Sequence, residues 1–261
     1  MTPLRTLFTP NQAVPGRTLL VAAAVWAGLF LLFWSTYPSP IIPRPTAVFE
    51  GWWTMFSDGR LMPALVTSFI LNLEALICST LVSLLFSWST VLPVMRPVVA
   101  MLSKLRFLGL AGLGVLFMQV ATGHELKVWL LSFGMSVFYI TGMAAVVEDI
   151  PRESFDHART LRMSPWKVTW HVVILGTLDE AWELMRQNAA IGWMMLTMVE
   201  GFLRSEGGIG ILLVNQEKWF RLEMIYALQI TILLVAIGQD YILALLKHFL
   251  FPYAALTRQR S

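Results

Sequence analysis

Six runs of mostly apolar residues, each about 20 residues long, restrict the fold more than any other feature of this chain. The runs cover residues 19–36, 64–88, 100–122, 127–147, 182–203 and 224–249. A helix of about 20 apolar residues is long enough to cross a bilayer. Strands of a membrane barrel would alternate apolar and polar residues, and these runs do not. The sequence therefore predicts an all-α, polytopic membrane protein with about six transmembrane helices.

The composition agrees with a bilayer location. Charged residues make up 13% of the chain and hydrophobic residues 57%, whereas a soluble domain carries roughly 25% charged residues. The net charge of +3 is too small and too scattered to indicate a nucleic acid partner. The single cysteine, Cys78, lies inside an apolar run, so an internal disulfide is excluded.

The flanking segments and the basic residues predict an orientation. Residues 1–18 are polar and interrupted by prolines, which indicates a cytoplasmic segment and not a cleavable signal. Residues 250–261 form the corresponding cytoplasmic tail. Lysine and arginine are more frequent on the side that holds both termini, and this bias favours the cytoplasm. Lys127 falls on the opposite, outer side in this scheme.

The longest polar stretch between predicted spans covers residues 148–171 and lies on the cytoplasmic side. We expect two short helices in it. The first covers about 151–161, with Glu153 in its first turn, where an acid is favourable. The second begins at Ser164–Pro165, a serine N-cap followed by proline. The stretch is either a solvated loop or a surface that docks a cytoplasmic partner.

This stretch resembles the cytoplasmic coupling loop of binding-protein-dependent ABC importer permeases. The family pattern is Glu-Ala-Ala, three residues and Gly, and this chain has Asp156, Ala158 and Arg162 at three of those positions, with Leu175–Gly176 for the later Leu-Pro. The resemblance implies that the ATPase-coupling residues are Glu153, Asp156, His157, Ala158, Arg159, Leu161, Arg162 and Trp166.

Motifs along residues 40–250 are similar to those of the nitrate, sulfonate and taurine subfamily of these type I importers. They are Ile42-Pro43-Arg44-Pro45-Thr46-Ala47-Val48, the seven-residue steps Arg186, Trp193 and Glu200, Gly208-Ile209-Gly210, and Gly238-Gln239-Asp240. The resemblance implies a permease subunit in a bacterial plasma (inner) membrane that passes a small anionic solute such as nitrate, a sulfonate or taurine.

The resemblance also implies partners. ATP and Mg²⁺ would bind a separate ABC ATPase, because this chain lacks the Gly-x-x-x-x-Gly-Lys-Ser/Thr motif, and no cofactor is expected on the chain itself. A second permease subunit, identical or different, and an extracytoplasmic solute-binding protein would complete the importer.

Five residues are candidates for the translocation pathway: Lys104, Arg106, Trp193, Glu200 and Asp240. Ionisable groups inside a membrane usually face protein or a water-filled path. Lys104 and Arg106 either extend to the cytoplasmic surface or place positive charge within the pathway. The acids, Glu74 among them, either line the path or hold helices together. Glu183 is expected to pair with Arg186 at i,i+3.

Two other classes of function stay open. An integral membrane enzyme would need paired carboxylates or a metal cluster at one depth. The four histidines, His124, His157, His171 and His248, lack metal-ligand spacing, so we expect no catalytic residue and no metal site. A membrane scaffold that transports nothing would also tolerate the departures in the coupling motif.

Overall fold

The structure is a computed structural model that describes residues 16–37, 41–203 and 207–252, and every regular element in these ranges is helical. Most of the predicted terminal segments, 1–18 and 250–261, lies outside the described residues. In chain order the helices are α1 (Gly16–Thr36), α2 (Pro45–Ser57), α3 (Leu61–Ser89), α4 (Arg96–Lys104), α5 (Leu110–Phe117), α6 (Gly123–Glu148), α7 (Arg152–Thr160), α8 (Pro165–Val168), α9 (Leu178–Leu203), α10 (Ile209–Lys218) and α11 (Leu222–Leu250).

Four helices within the described ranges, α1, α3, α6 and α11, are long and apolar enough to cross a membrane. They coincide with the first, second, fourth and sixth predicted spans. The predicted all-helical class is confirmed for the described residues. These four helices differ from the corresponding predicted spans by only a few residues at each end.

The other two predicted spans differ from that pattern. Residues 100–122 do not form one helix, because α4 and α5 are separated by a 3₁₀ turn at Leu105–Phe107 and by two extended residues. Helix α9 is continuous and covers the predicted span 182–203, but its first turns hold several charged side chains. These charges make α9 more polar than the four apolar helices.

Helices α3, α6 and α9 pack side by side and form the centre of the bundle. The buried face of α3 carries small or polar residues, namely Ser68, Asn72, Ser79, Ser83 and Ser87, which are all 0% exposed. Small side chains let membrane helices approach closely. On α9, Gly192 lies opposite Asn72, and a Cβ atom at 192 would be 2.7 Å from the amide oxygen of Asn72. The seam between α3 and α9 therefore has no room for larger residues.

Helix α1 lies at the periphery. None of residues 16–36 is buried, and α1 contacts the bundle mainly through α2. The indole N–H of Trp34 donates a hydrogen bond of 2.9 Å to the carbonyl oxygen of Pro43, next to the start of α2. Helix α2 in turn packs on α11, where Gly51 lies against the backbone of Glu223. The remaining surface of α1 is available to lipid or to another subunit.

Candidate functional site

The third predicted span is interrupted where its positive charges lie. Helix α4 ends at Lys104, and the 3₁₀ turn that follows contains Arg106. Leu108 and Gly109 then take extended backbone angles, with ψ values of 131° and 127°, before α5 begins. Glycine is a poor helix former, so the helix is weak at this junction.

The interruption lies near the middle of the bundle. Arg106 lines a cavity of about 320 Å³ together with Gly134 and Val137 of α6 and Met195 of α9. Gly134 and Val137 are near the centre of α6, which begins at 123 and ends at 148. Because α6 has the length and composition of a membrane span, Arg106 lies close to the mid-depth of that span.

The start of α5 is open. Gly109 is its N-cap residue, and no side chain in the described part of the chain caps the helix. A Cβ atom added at Gly109 or Gly112 would meet no described atom within 4 Å. The first N–H groups of a helix lack intrahelical acceptors and carry partial positive charge. The open helix start, Lys104 and Arg106 together make the interruption electropositive.

Lys104 and Arg106 are both exposed. The guanidinium of Arg106 lies over the ring of Phe107, 5.1 Å from its centroid, which is a cation–π contact. The sequence left two interpretations, extension to the surface or charge within a pathway. For Arg106, the position beside the centre of α6 favours the second, because a cation at that depth is costly unless it faces water or protein.

Arg186 takes part in a network of ion pairs between α9 and α11. Its Nη1 donates to both carboxylate oxygens of Asp240, at 2.9 and 2.8 Å, and its Nη2 donates to Glu183. Lys247 donates to the other oxygen of Glu183 at 3.0 Å. The charges of two acids and two bases therefore cancel within one network. The sequence left two roles for Asp240, lining the pathway or holding helices together. In the structure Asp240 takes part in a contact between α9 and α11.

Trp193 also joins α9 to α11. Its Nε1 donates to the Oε1 atom of Gln239 at 2.7 Å, and the residue is 3% exposed. Three turns earlier on α9, the Nε1 of Trp182 donates to the carbonyl oxygen of Leu243 at 2.9 Å. Trp193 is thus buried between helices in this conformation and does not line an open path.

Glu200 binds the turn that precedes α10. Its carboxylate accepts hydrogen bonds from the Oγ atom of Ser68 at 2.7 Å and from the backbone N–H of Gly210 at 2.8 Å. The Ser68 oxygen accepts a further bond of 2.8 Å from the N–H of Ile209. Glu200 and Ser68 are both 0% exposed. The carboxylate therefore holds α3, α9 and α10 together and has no open face.

The polar stretch 148–171, predicted to be cytoplasmic, contains the two predicted short helices, α7 and α8, here called the coupling segment (residues 152–168) after its predicted role. Ser164 is the N-cap residue of α8, although its side chain makes no capping bond within the described chain. Trp166 is 72% exposed and Trp170, just beyond the segment, is 54% exposed. The exposed coupling residues are Glu153, Asp156, His157, Arg159, Leu161, Arg162 and Trp166.

Ala158 differs from the other predicted coupling residues. It is 5% exposed and lies in a cleft between the coupling segment and the ends of α6 and α9. Its side chain therefore packs within this chain and does not present an outer surface. A bulky residue at 158 would disturb the coupling segment itself, so it cannot test a partner contact cleanly.

Arg162 has the left-handed backbone conformation, with φ of 55°. Its N–H donates to the carbonyl oxygen of Arg159 at 2.9 Å, and the N–H of Met163 donates to that of Ala158 at 3.4 Å. Glycine is the usual residue at this point of a helix C-terminus. The structure therefore gives Arg162 the conformation that favours glycine.

We expect Arg162→Gly to raise the free energy of unfolding by about 0.5–1 kcal/mol, because glycine adopts a positive φ without strain. The measurement is the thermal midpoint of the purified protein in detergent. Arg159→Gly, inside α7, is the matched control and should lower stability by about 1 kcal/mol. A lower midpoint for Arg162→Gly would show that the arginine side chain makes a contact worth more than the strain.

Two buried residues near the start of α10 escaped prediction. Lys127 is 1% exposed, and its Nζ donates to the carbonyl oxygen of Gly207 at 3.2 Å. Ser68 was not identified either. The recurrence of small polar residues along one face of α3 was a signal for Ser68, whereas one lysine at the start of an apolar run gave no comparable signal.

The described chain is helical in all its regular elements and has four helices suited to crossing a membrane, which is the architecture of a multi-pass membrane protein. No known protein family matches the chain, and no curated protein matches it. Among the described residues, no group of three or more His, Cys, Asp or Glu side chains could hold a metal ion.

Proposed function

We propose that this chain is the transmembrane permease subunit of an ATP-driven ABC importer and forms the path for a small anion such as nitrate, a sulfonate or taurine. The observation that carries the transport proposal is the interruption of the third segment, where Arg106 lines a cavity beside the centre of α6, next to the open start of α5 and two residues after Lys104. Interrupted helices near the midplane commonly supply solute sites in transporters. A scaffold without transport would have no use for a costly cation at that depth.

The coupling segment supports the ATPase part of the proposal. It exposes Trp166, and its Asp156 and Arg159 pair with each other at 3.0 Å. An exposed aromatic residue surrounded by polar groups is typical of a protein–protein interface. Helix α8 continues through the π turn Thr169–Ile174 and a short 3₁₀ turn into α9, so a displacement of the segment is passed directly to a central helix.

The proposed topology has six crossings, with α4 and α5 together forming the third. Both termini and the coupling segment are then cytoplasmic, and α10 lies on the outer side, which agrees with the bias of lysine and arginine. ATP binding closes the partner ATPases, the coupling segments follow, and α9 tilts within the bundle. A second permease subunit faces this one across the path, and a solute-binding protein delivers the anion from outside.

The proposal is tested by purifying the tagged chain from its native membrane. We expect an ATPase subunit to co-purify, and its activity to rise when the binding protein is added. The double variant Trp166→Ala/Trp170→Ala should lose most of the ATPase. Trp219→Ala, which removes an indole that is 76% exposed on the proposed outer side, should retain it. A chain that purifies without any ATPase would favour the scaffold or enzyme alternatives.

A further inference from the structure

The turn before α10 is held by side chains from three helices, and we name this group the outer clamp (Ser68, Lys127, Glu200 and residues 207–210). Lys127 of α6 binds the Gly207 carbonyl oxygen, and Ser68 of α3 binds the N–H of Ile209. Glu200 of α9 binds the N–H of Gly210 and the hydroxyl of Ser68. All three side chains are at most 1% exposed. The clamp therefore fastens the start of α10 to the bundle through buried polar contacts.

The glycines of the clamp allow the turn to lie directly on α9. Gly208 has φ of 117°, and a Cβ atom there would overlap the carboxylate of Glu200. A Cβ atom at Gly210 would be 2.5 Å from the carbonyl oxygen of Thr197. The backbone thus approaches α9 more closely than any residue with a side chain permits.

Helix α10 lies between two sharp bends. Gly207 and Gly208 have positive φ at its start, and Phe220 has φ of 50° just after its end. Its inner face is buried through Ile209 and Leu213, which are 0% and 7% exposed. A ten-residue helix with a bend at each end can swing as a unit once the contacts at one end are released.

The same end of α9 also touches the interrupted segment. Phe202, two residues after Glu200, packs on α5, where a Cβ atom at Gly114 would be 3.2 Å from its ring. A movement of this end of α9 therefore reaches both the clamp and the helix that starts at the electropositive interruption.

We propose that the outer clamp is a latch that keeps α10 closed over the outer end of the bundle and releases it when solute enters from outside. This inference rests on the proposed function for its place in a transport cycle. A polar latch suits an aqueous entrance, because its groups exchange protein partners for water at a net cost of only about 1 kcal/mol per hydrogen bond. Opening also exposes Ile209 and Leu213, whose apolar surface favours the closed position.

The test measures how often α10 opens. Leu213→Cys is introduced into a Cys78→Ser background, and the rate of labelling by a membrane-impermeant maleimide is followed on the purified chain. Ser68→Ala removes the bridging hydroxyl and should speed labelling by about tenfold or more. Ser79→Ala is the matched control, because Ser79 is equally buried on α3 and, among the described residues, its hydroxyl bonds only to the Leu76 carbonyl of its own helix. Equal rates for the two variants would overturn the latch.

A second variant covers the case in which Ser68→Ala does not fold. Glu200→Gln keeps the shape of the side chain but removes its charge, and it should speed labelling less than Ser68→Ala but more than Ser79→Ala. Labelling no faster than in Ser79→Ala would again overturn the latch. Neither arm requires the ATPase, so both can succeed or fail independently of the permease proposal.

A third arm examines the transport cycle in the complete importer. In an importer that carries Leu213→Cys and an unchanged clamp, trapping with ATP, Mg²⁺ and vanadate should raise the labelling rate of the cysteine. The rate should approach the one measured for Ser68→Ala. If the isolated variants are labelled faster but trapping has no effect, the latch is retained. That result would count against a role of the latch in an ATP-driven cycle. The permease proposal itself is judged separately, by the co-purification of the ATPase.

Discussion

Lys104→Gln/Arg106→Gln is expected to lower anion uptake by roughly one to two orders of magnitude, because each charge-assisted contact with an anion contributes about 1.5–3 kcal/mol. The same variant should have a higher thermal midpoint. A cation at membrane depth costs about 2.5–3.5 kcal/mol on insertion scales, and glutamine costs less. Lower activity with higher stability is the signature of charges kept for function. Uptake of the solute carried by the purified binding protein and the thermal midpoint are measured on the same preparations.

The matched control is Lys218→Gln/Arg221→Gln, which removes two exposed charges from the proposed outer surface. It should change neither uptake nor midpoint appreciably, since isolated surface charges contribute little. Normal uptake by Lys104→Gln/Arg106→Gln would reduce these residues to anchors at the membrane surface. A fall in both uptake and midpoint would assign them to the packing of the bundle.

Arg186→Leu is expected to destabilise the protein by about 1–3 kcal/mol, between the values for exposed and for buried ion pairs, because it leaves two acids facing a single lysine in a partly exposed network. Arg186 is the only described base that contacts both Glu183 and Asp240. The side chains of Glu183 and Lys247 are 28% and 21% exposed and that of Asp240 is 46% exposed, so solvent screens part of the unbalanced charge. The thermal midpoint in detergent and the fraction of folded protein after extraction are the measurements.

A compensating variant separates charge balance from loss of bulk. Arg186→Leu/Asp240→Leu removes one base and one acid and leaves the Glu183–Lys247 pair, so it should recover most of the stability. Arg60→Leu breaks an exposed pair with Asp58 and should have an effect below about 1 kcal/mol. A double variant as unstable as Arg186→Leu would show that the network contributes through packing and not through charge.

The helices were predictable because hydropathy is a local property. The runs 64–88, 127–147 and 224–249 anticipate α3, α6 and α11 to within four residues at each end, since the length needed to cross a bilayer is itself a physical constraint. The third run was harder to predict. Its glycines and charges indicated a weak helix, but only packing against α6 places Arg106 beside Gly134 and Val137.

The partners of the polar residues were not predictable. The seven-residue steps from Arg186 to Glu200 indicate one polar face on α9, yet they do not say which helix that face meets. Glu200 and Ser68 are separated by 132 positions in the sequence, so only the folded structure brings them together. The structure places Glu200 in a buried contact, and its role as a pathway residue stays a prediction.

The coupling segment shows what local signals can predict. Ser164–Pro165 and Glu153 marked its two helix starts correctly, because capping and dipole preferences act over a few residues. The positive φ of Arg162 reflects its position just after the end of α7, because arginine itself does not favour that conformation. The burial of Ala158 depends on its contacts with the ends of α6 and α9. The residues next to Ala158 in the sequence carry no information about those contacts.

The most direct test of the central claim asks whether Arg106 lies on an aqueous path. Arg106→Cys in a Cys78→Ser background is treated with a membrane-impermeant thiosulfonate reagent that carries a sulfonate group. Val25→Cys, near the middle of the peripheral helix α1, is the control for a position that faces lipid. In the complete importer, Cys at 106 should be labelled from the cytoplasmic side without nucleotide and from the outer side after trapping with vanadate, while Cys at 25 stays unlabelled. Failure to label position 106 from either side, in both states, would contradict the account.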